Sequence, residues 1–316
     1  MAKVFIDGEA GTTGLGIRSR LSELPGIDLI SLGDAVRKSR GARLEAMKAA
    51  DLVVLCLPDE AAKDAALMVS SLGPGAPKLL DASSAHRTSP DWVYGFPELF
   101  PASAFEIIHA PRVSNPGCYA TGAIGLLRPL IATGVLKTDQ DITINAVSGY
   151  SGGGKSMIAA HEAEGGPAFQ LYALGLTHKH VPEIMRHSGL SRRPIFVPSV
   201  GHFRQGMLVS IPLFRDRLNG APSAGDVIAI YEAAYGAAGH VTVRHRSEIH
   251  ELTPQDKNET DVMELFVFEN ERHGHMLLVA QLDNLGKGAS GAAVQNISLM
   301  LGLMDANLKM QELANA

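Results

Sequence analysis

The chain has 316 residues, enough for two domains of ordinary size. Hydrophobic residues make up 46% and charged residues 19%, which supports sizeable buried cores and excludes a disordered or coiled-coil chain. The net charge is −5 and no Lys/Arg run stands out, so a nucleic-acid partner bound through phosphates is disfavoured. Two cysteines, Cys56 and Cys118, cannot build a disulfide framework, which fits a reducing cytoplasm. Met1-Ala2-Lys3-Val4-Phe5-Ile6 enters a strand at once, and no apolar run is long enough to span a bilayer. Neither a leader nor a membrane partner is expected.

The first third alternates strand and helix. Lys3 to Ile6 reads as a strand, and Gly14 to Leu24 as a helix with Leu15, Ile17 and Leu21 on its inner face. Ile27 to Leu32 is the next strand and Arg43 to Ala50 the next helix. Asp51 to Leu57 is a continuous apolar strand of the kind buried on both faces of a parallel sheet. Glu60 to Leu72 is helical and Lys78 to Asp81 is strand. This rhythm predicts a doubly wound α/β sheet with right-handed crossovers.

The pattern changes after Cys118. Tyr119 to Leu127 reads as a helix that ends near Gly134, and Asp141 to Val147 as an alternating strand. Further strands are expected at Ile195–Val200, Gly206–Leu213, Val241–His245, Val262–Asn270 and His275–Asp283. Strands outnumber helices here, which predicts an α+β domain on a mostly antiparallel sheet. Gly291 to Leu308 closes the chain as an amphipathic helix with Ile297, Met300, Leu301 and Met304 on one stripe.

Gly8-Glu9-Ala10-Gly11-Thr12-Thr13-Gly14 lies between the first strand and the first helix. Glycines there let a backbone approach a pyrophosphate, whose charge the helix N-terminus attracts. The spacing is G-x-x-G-x-x-G rather than the strict fingerprint, and a plain glycine-rich turn is the bland alternative. After the second strand, Arg37, Lys38, Ser39 and Arg40 could hold the 2′-phosphate of NADP, whereas Asp34 argues for NAD.

Cys118 follows a Pro116-Gly117 turn and sits at a helix start, where the dipole favours the thiolate and hence covalent catalysis. Cys56, inside an apolar strand, reads as inert. His178-Lys179-His180-Val181-Pro182-Glu183 places two histidines before a carboxylate. A metal site lacks a cysteine or third histidine nearby, so none is expected. A general base oriented by a carboxylate suits a nucleophile that needs one, and either His178 or His180 could serve.

Gly149-Tyr150-Ser151-Gly152-Gly153-Gly154-Lys155-Ser156 matches the phosphate-loop pattern letter for letter, with a strand before it and a helix, Met157 to Glu164, after it. Alone it predicts an ATP- or GTP-binding protein. It lies, however, in the half poor in βαβ units, with no following apolar strand ending in Asp to hold Mg²⁺. Its N–H groups and Lys155 still suit a phosphate or carboxylate. Asp283-Asn284-Leu285-Gly286-Lys287-Gly288-Ala289 is a polar loop before the last helix. It is either a helix cap or a return to a cofactor, with Asn284 near a nicotinamide.

Together these features resemble the N-acetyl-γ-glutamyl-phosphate reductase family, in its shorter type. Val113-Ser114-Asn115-Pro116-Gly117-Cys118-Tyr119-Ala120-Thr121-Gly122 is similar to the family's active-site signature. Val147 to Lys155 resembles its S-G-x-S-G-[AG]-G-[RK] loop, which accounts for the phosphate-loop match. His178 to Glu183 resembles its H-[RK]-H-x-P-E motif, and Asn284 to Ala289 its N-L-x-K-G-A loop. Aspartate-semialdehyde dehydrogenase is the more distant relative.

The resemblance implies an NADP-binding domain over residues 1–116, with residues 289–316 packing back on it, and a catalytic domain over 117–288. Expected cofactor contacts are Gly8, Gly11, Thr12, Thr13, Gly14, Arg37, Ser39, Asn284 and Lys287. Expected substrate contacts are Asn115, Arg112, Ser148, Gly149, Lys155, Glu183 and Arg204. The implied reaction of arginine synthesis forms a thioester on Cys118 with loss of phosphate, then an aldehyde with hydride from NADPH. A histidine moves the protons, the family's arrangement favouring His178, and the Cys118 N–H with Asn115 meets the oxyanion. A homo-oligomer, dimer or tetramer, is expected. The alternatives are an aspartate- or aminoadipate-semialdehyde substrate, a phosphate-loop NTPase, and a non-catalytic NAD(P)-binding protein.

Overall fold

The computed structural model describes residues 1–236, 239–244 and 249–303. Two compact units form, Met1–Pro116 together with the chain from Ala289 onward, and Gly117–Gly288. The first unit opens with β1 (Ala2–Asp7), α1 (Thr12–Ser22), β2 (Ile27–Ile30), α2 (Arg40–Ala49), β3 (Leu52–Leu55), α3 (Asp59–Ser70) and β4 (Lys78–Asp81). It continues with β5 (Val93–Tyr94), α4 (Ser103–His109) and β6 (Arg112–Ser114). These strands form a parallel sheet in the order β2-β1-β3-β4-β6-β5.

The second unit contains α5 (Cys118–Ala132), β7 (Thr143–Gly149), α6 (Gly154–Glu164), β8 (Phe169–Leu171), α7 (His180–Ser188) and β9 (Ile195–Gly201). β10 (Met207–Phe214), α8 (Ala224–Tyr235), β11 (Val241–Arg244), β12 (Met263–Asn270) and β13 (His275–Leu282) complete it. A π-type turn, Gly286–Ser290, leads into α9 (Gly291–Leu301), which rejoins the first unit.

Alternation along the strands explains the first unit. Val4, Ile6, Leu52, Val54 and Leu80 face a core closed by Ile17 and Leu21 of α1, Ile107 of α4 and Ile297 of α9. Phe5, Val53, Leu55 and Leu79 point the other way, onto Met47 of α2 and Ala65 and Val69 of α3. Burial on both faces is why the third strand reads as an unbroken apolar run. Leu15, expected on the inner face of α1, is 50% exposed. The helix starts two residues earlier than its predicted Gly14 start, but Leu15 lies outside the stripe that Ile17 and Leu21 define.

The second unit's sheet runs β11-β12-β13-β10-β7-β9-β8, with four antiparallel pairs and two parallel ones. α5 is apolar all round and buried from Tyr119 to Leu127, so it is a core helix rather than an amphipathic one. Gly122 lets it lie close on the sheet, because a Cβ there would sit 2.8 Å from Val209 Cγ2. Pro129 has no N–H to give the carbonyl of Gly125. Tyr235 supplies the missing donor at 3.0 Å, and Tyr231, one turn earlier on α8, donates to Leu126 at 2.7 Å.

Short or polar-flanked elements escaped sequence reading, namely β5, α4, β6, β8, α7 and α8. Of the predicted last helix, Met304 to Leu308 lies outside the described residues, as does His245 of the predicted strand. Gly302, at φ +69°, caps α9 after Leu301. Among the described residues no helix is long and apolar enough to cross a membrane.

Tyr235→Phe leaves the Gly125 carbonyl without a donor, and we expect it to cost about 1–3 kcal/mol. Tyr231→Phe, whose acceptor Leu126 keeps its helical donor, should cost less. Urea unfolding of both variants checks the order.

Candidate active site

The carboxyl edge of the parallel sheet carries the glycine loop. Gly8 has φ +91°, and a Cβ there would sit 2.3 Å from the Cys56 carbonyl oxygen. Gly14 is equally constrained, with Gly8 O at 2.6 Å from its virtual Cβ. Gly11 is not, since its nearest atom would be 3.4 Å away. Its lack of a side chain leaves the start of α1 bare. Gly11 is the N-cap, Thr12 and Thr13 are the first helical residues, and no side chain caps the first turn. That is the arrangement an anion uses.

Beside this turn is a cavity of about 250 Å³ whose lining includes Gly8, Glu9, Leu32, Arg37, Lys38 and Arg43. Arg37 reaches Asp34 at 3.0 Å on the surface, so the acid that argued for NAD is paired with a base. Ser39 does not line the cavity; it caps α2 by accepting the Ala42 N–H at 3.5 Å. Arg43 was missed. It holds the buried Asp7 carboxylate at the end of β1, with Nε at 3.1 Å and Nη2 at 2.6 Å. The legible signal was Asp7 itself, a charge inside an apolar strand end that requires a cation. Glu9 is bonded by Arg18 and Ser31.

Two expected substrate residues are placed elsewhere in the first unit. Asn115 is 1% exposed, donates to Ala289 O at 3.0 Å and accepts from Asn296 at 3.1 Å. Its side-chain amide is engaged in packing this unit. Arg112 begins β6, so it lies toward the amino edge of the sheet, and it donates to Ser70 Oγ at the end of α3. Burial, then Asp81 and Asp7, pushes the Cys56 thiol up to about 12.

In the second unit Cys118 is the first residue of α5, with extended Gly117 as its N-cap. The Gly117 N–H donates to Glu183 Oε1 at 2.8 Å, and Glu183 is 1% exposed. Glu183 therefore pins the turn before Cys118. Gly288 passes close by, since a Cβ there would lie 2.9 Å from Cys118 Cβ.

Tyr119 and Tyr172 lie within electrostatic reach of Cys118, and His178 and His180 pack on Tyr119. His178 is half-buried and His180 is 5% exposed. Their rings meet edge-on at 4.7 Å, and Tyr119 packs edge-on against both. His178 Nδ1 accepts the His180 N–H at 3.1 Å, and its Nε2 lies 3.4 Å from Tyr172 Oη. Burial, with Lys179 beside it, lowers His178 to about 4. Ser148 is buried, donates to Gly149 O and neighbours the Tyr119 hydroxyl.

The start of the phosphate-loop match is committed to a neighbouring turn. The N–H groups of Gly149, Tyr150 and Ser151 donate to Gly206, Phe203 and Arg204 carbonyls at 2.9, 2.9 and 3.0 Å. They are bonded to a neighbouring turn and do not curl into an anion nest. Gly149 is required by that approach, its virtual Cβ being 2.5 Å from Arg204 O. Lys155, in the first turn of α6, is exposed, and Arg204 is exposed with Glu162 at 3.8 Å. Asn284 accepts from Gly206 N–H at 2.7 Å and donates to Ser151 Oγ at 2.9 Å, so its amide ties two loops of this unit. Lys287 is 1% exposed. Among the described residues no group of three or more His, Cys, Asp and Glu could hold a metal ion.

Residues 3–107 match the family described as "Semialdehyde dehydrogenase, NAD binding domain", and residues 118–284 match "Semialdehyde dehydrogenase, dimerisation domain". N-acetyl-gamma-glutamyl-phosphate reductases of Brucella ovis and Brucella canis are 49% identical over 308 residues, 95% of this chain and 99% of each relative. Aspartate semialdehyde dehydrogenase II of Vibrio cholerae shares the fold with a TM-score of 0.70 at 15% identity, over 96% of this chain and 98% of that one. The Candida albicans enzyme solved with NADP gives 0.66 at 14% identity, over 96% and 100%. The chain belongs to the semialdehyde dehydrogenase family and, within it, to the N-acetyl-gamma-glutamyl-phosphate reductase family.

Proposed function

We propose that this chain reduces N-acetylglutamyl 5-phosphate to N-acetylglutamate 5-semialdehyde, with release of phosphate, in arginine biosynthesis. The observation that carries the reading is Cys118 at the first position of α5, on a turn held by Glu183. Cys118 Sγ attacks the acyl carbon, phosphate leaves, and a thioester remains. After reduction the carbon–sulfur bond breaks and the thiolate returns to the helix start, which stabilises its charge. The first-turn N–H groups of α5 meet the oxyanion. His178, rather than the buried His180, is the proton-handling ring. Lys155 and Arg204, exposed on adjoining turns, are the cations for the substrate's phosphate or carboxylate.

The first unit's residues fit NADP. Gly11 leaves the α1 N-terminus bare for a pyrophosphate, and the cavity beside it holds Arg37, Lys38 and Arg43 for a 2′-phosphate. When bound, the reduced cofactor supplies the hydride. Asn284 is kept as a structural support, its amide tying two loops of the second unit. The partner is a second copy of the chain, and the location is the cytoplasm. In support of self-association, the open sheet face of the second unit exposes Phe169, Leu171 and Leu277 around a cavity of about 530 Å³.

Cys118→Ser should abolish turnover while cofactor affinity, read by fluorescence quenching, stays within about twofold. In the oxidative direction, NADP reduction by the semialdehyde should require phosphate or arsenate; equal rates without either would sink the thioester scheme. The double variant Arg37→Ala/Lys38→Ala should raise KM for NADPH by roughly 10-fold or more and leave that for NADH unchanged. His178 should also shape acid stability. Its folded value of about 4 lies below its ordinary 6.5, so the unfolded chain binds the proton first. Its contribution is present above pH 6.5 and is lost as pH falls through 4, and denaturant titrations of wild type and His178→Gln at pH 7 and 4.5 compare the two slopes.

A further inference from the structure

α6 lacks the buried apolar stripe that holds most short helices to their domain. His161 is 4% exposed, and no other described residue of the helix is buried. Met157 and Ile158, its large apolar side chains, are only half-buried. The His161 ring is enclosed by groups of the same unit. Tyr150 stacks on its face at 4.7 Å with the planes 16° apart. Gly166 leaves it room, since a Cβ there would sit 2.4 Å from His161 Nδ1. That Nδ1 meets His202 Nδ1 at 2.9 Å, with the ring centroids 5.2 Å apart and the planes at 23°. The centroid distance less the two ring radii is about the observed N···N distance. The two nitrogens therefore lie on the line between the centroids and aim at each other. Of two neutral imidazoles meeting this way, one donates and the other accepts. The pair holds one proton on that line, and its rings are opposite tautomers, one Nδ1–H and the other Nε2–H.

We propose that His161 is a positioning residue that, through its bond to His202, seats α6 against the turn carrying Arg204 and so places Lys155 for the anionic group of the substrate. The inference rests on the reading of Lys155 and Arg204 as the substrate's cations. Lys155 is in the first turn of α6, and His161 is roughly 9 Å further along the same helix, which moves as one body. His202 follows β9 directly, and its N–H donates to Ala168 O at 2.9 Å, so the partner ring stands on fixed backbone. The bonds from the Tyr150 and Ser151 N–H groups to Phe203 and Arg204 tie only the turn before α6. The Arg204–Glu162 pair, 3.8 Å apart and exposed on both sides, adds little. With the rest of the helix at the surface, the His161–His202 bond sets its direction. Sequence reading passed over both histidines, which are 41 residues apart and brought together by tertiary packing.

The test uses the full chain labelled with ¹⁵N-histidine, at neutral pH and without substrate. We expect a scalar coupling between the two Nδ1 nuclei across the hydrogen bond, and one ring of each tautomer. His161→Phe and His202→Phe identify the signals by their loss. In His161→Phe, which keeps a ring against Tyr150 and removes the bond, amide exchange in α6 should speed up about tenfold while that in α5 is unchanged. The same variant should raise KM for the acyl phosphate about fivefold, with kcat and the affinity for NADPH within about twofold. His202→Phe, on the exposed side of the bond, should match it. His161→Asn, whose amide occupies the Nδ1 position, should recover most of the KM. On a Lys155→Ala background, His161→Phe should add nothing to KM, because it acts through that lysine. Like tautomers without coupling in wild type, or unchanged exchange in α6, overturns the proposal. So does a KM effect that adds in full to that of Lys155→Ala, or a lower melting temperature with KM unmoved, as a purely structural histidine would give. The coupling and the exchange require no turnover, so a failure of the reductase reading would be seen separately, as absent activity with both intact.

Discussion

A single hydrogen bond, from the Gly117 N–H to the buried carboxyl of Glu183, holds the backbone turn from which α5 starts. Cys118 is one residue further on, at the positive end of a helix that is buried from Tyr119 to Leu127. A helix dipole helps a thiolate only within its first turn, so the value of α5 depends on where it starts. Pro116 and extended Gly117 stop the helix from extending backward, and Glu183 gives the cap residue's N–H its partner. The rest of the second unit keeps α5 in place. Gly122 lets it approach Val209, and Tyr231 and Tyr235 bond its carbonyls near Pro129.

Glycine serves three different physical ends in this chain. Gly8 is needed because its φ is positive and its neighbour is the Cys56 carbonyl. Gly149 is needed because two turns of the second unit pair their backbones there. Gly11 is under neither constraint, and its lack of a side chain keeps the N-terminus of α1 bare. A glycine that the fold does not itself require, placed at an uncapped helix start, points to a ligand more directly than the motif spacing does.

Asn115, Glu183 and Asn284 share another lesson. Each is a polar residue inside a recognisable motif, and each read as a contact to substrate or cofactor. In the structure each is at most 2% exposed and bonded to backbone or side chains of its own unit. Buried polar groups must be satisfied, and a motif that positions a nucleophile needs such supports as much as it needs the nucleophile. Partnership cannot be read from residue type, because the partners are 66 to 174 residues away in the chain.

The amino-acid order by itself determined the two sheet types, the glycine turn after the first strand and a cysteine at a helix start. These follow from short-range patterns, namely apolar runs, period-two alternation and Pro-Gly punctuation. It also carried the family motifs, and with them the reductase chemistry. Only the tertiary structure decided that the phosphate-loop match is a pair of bonded turns, that Arg43 belongs to Asp7, and that Arg112 points toward the other edge of its sheet. It also separated His178, half-buried beside Tyr172, from the buried His180. Both histidines stand in the same six-residue motif, and only the packing of α5, β9 and the segment after β8 around them makes their environments differ.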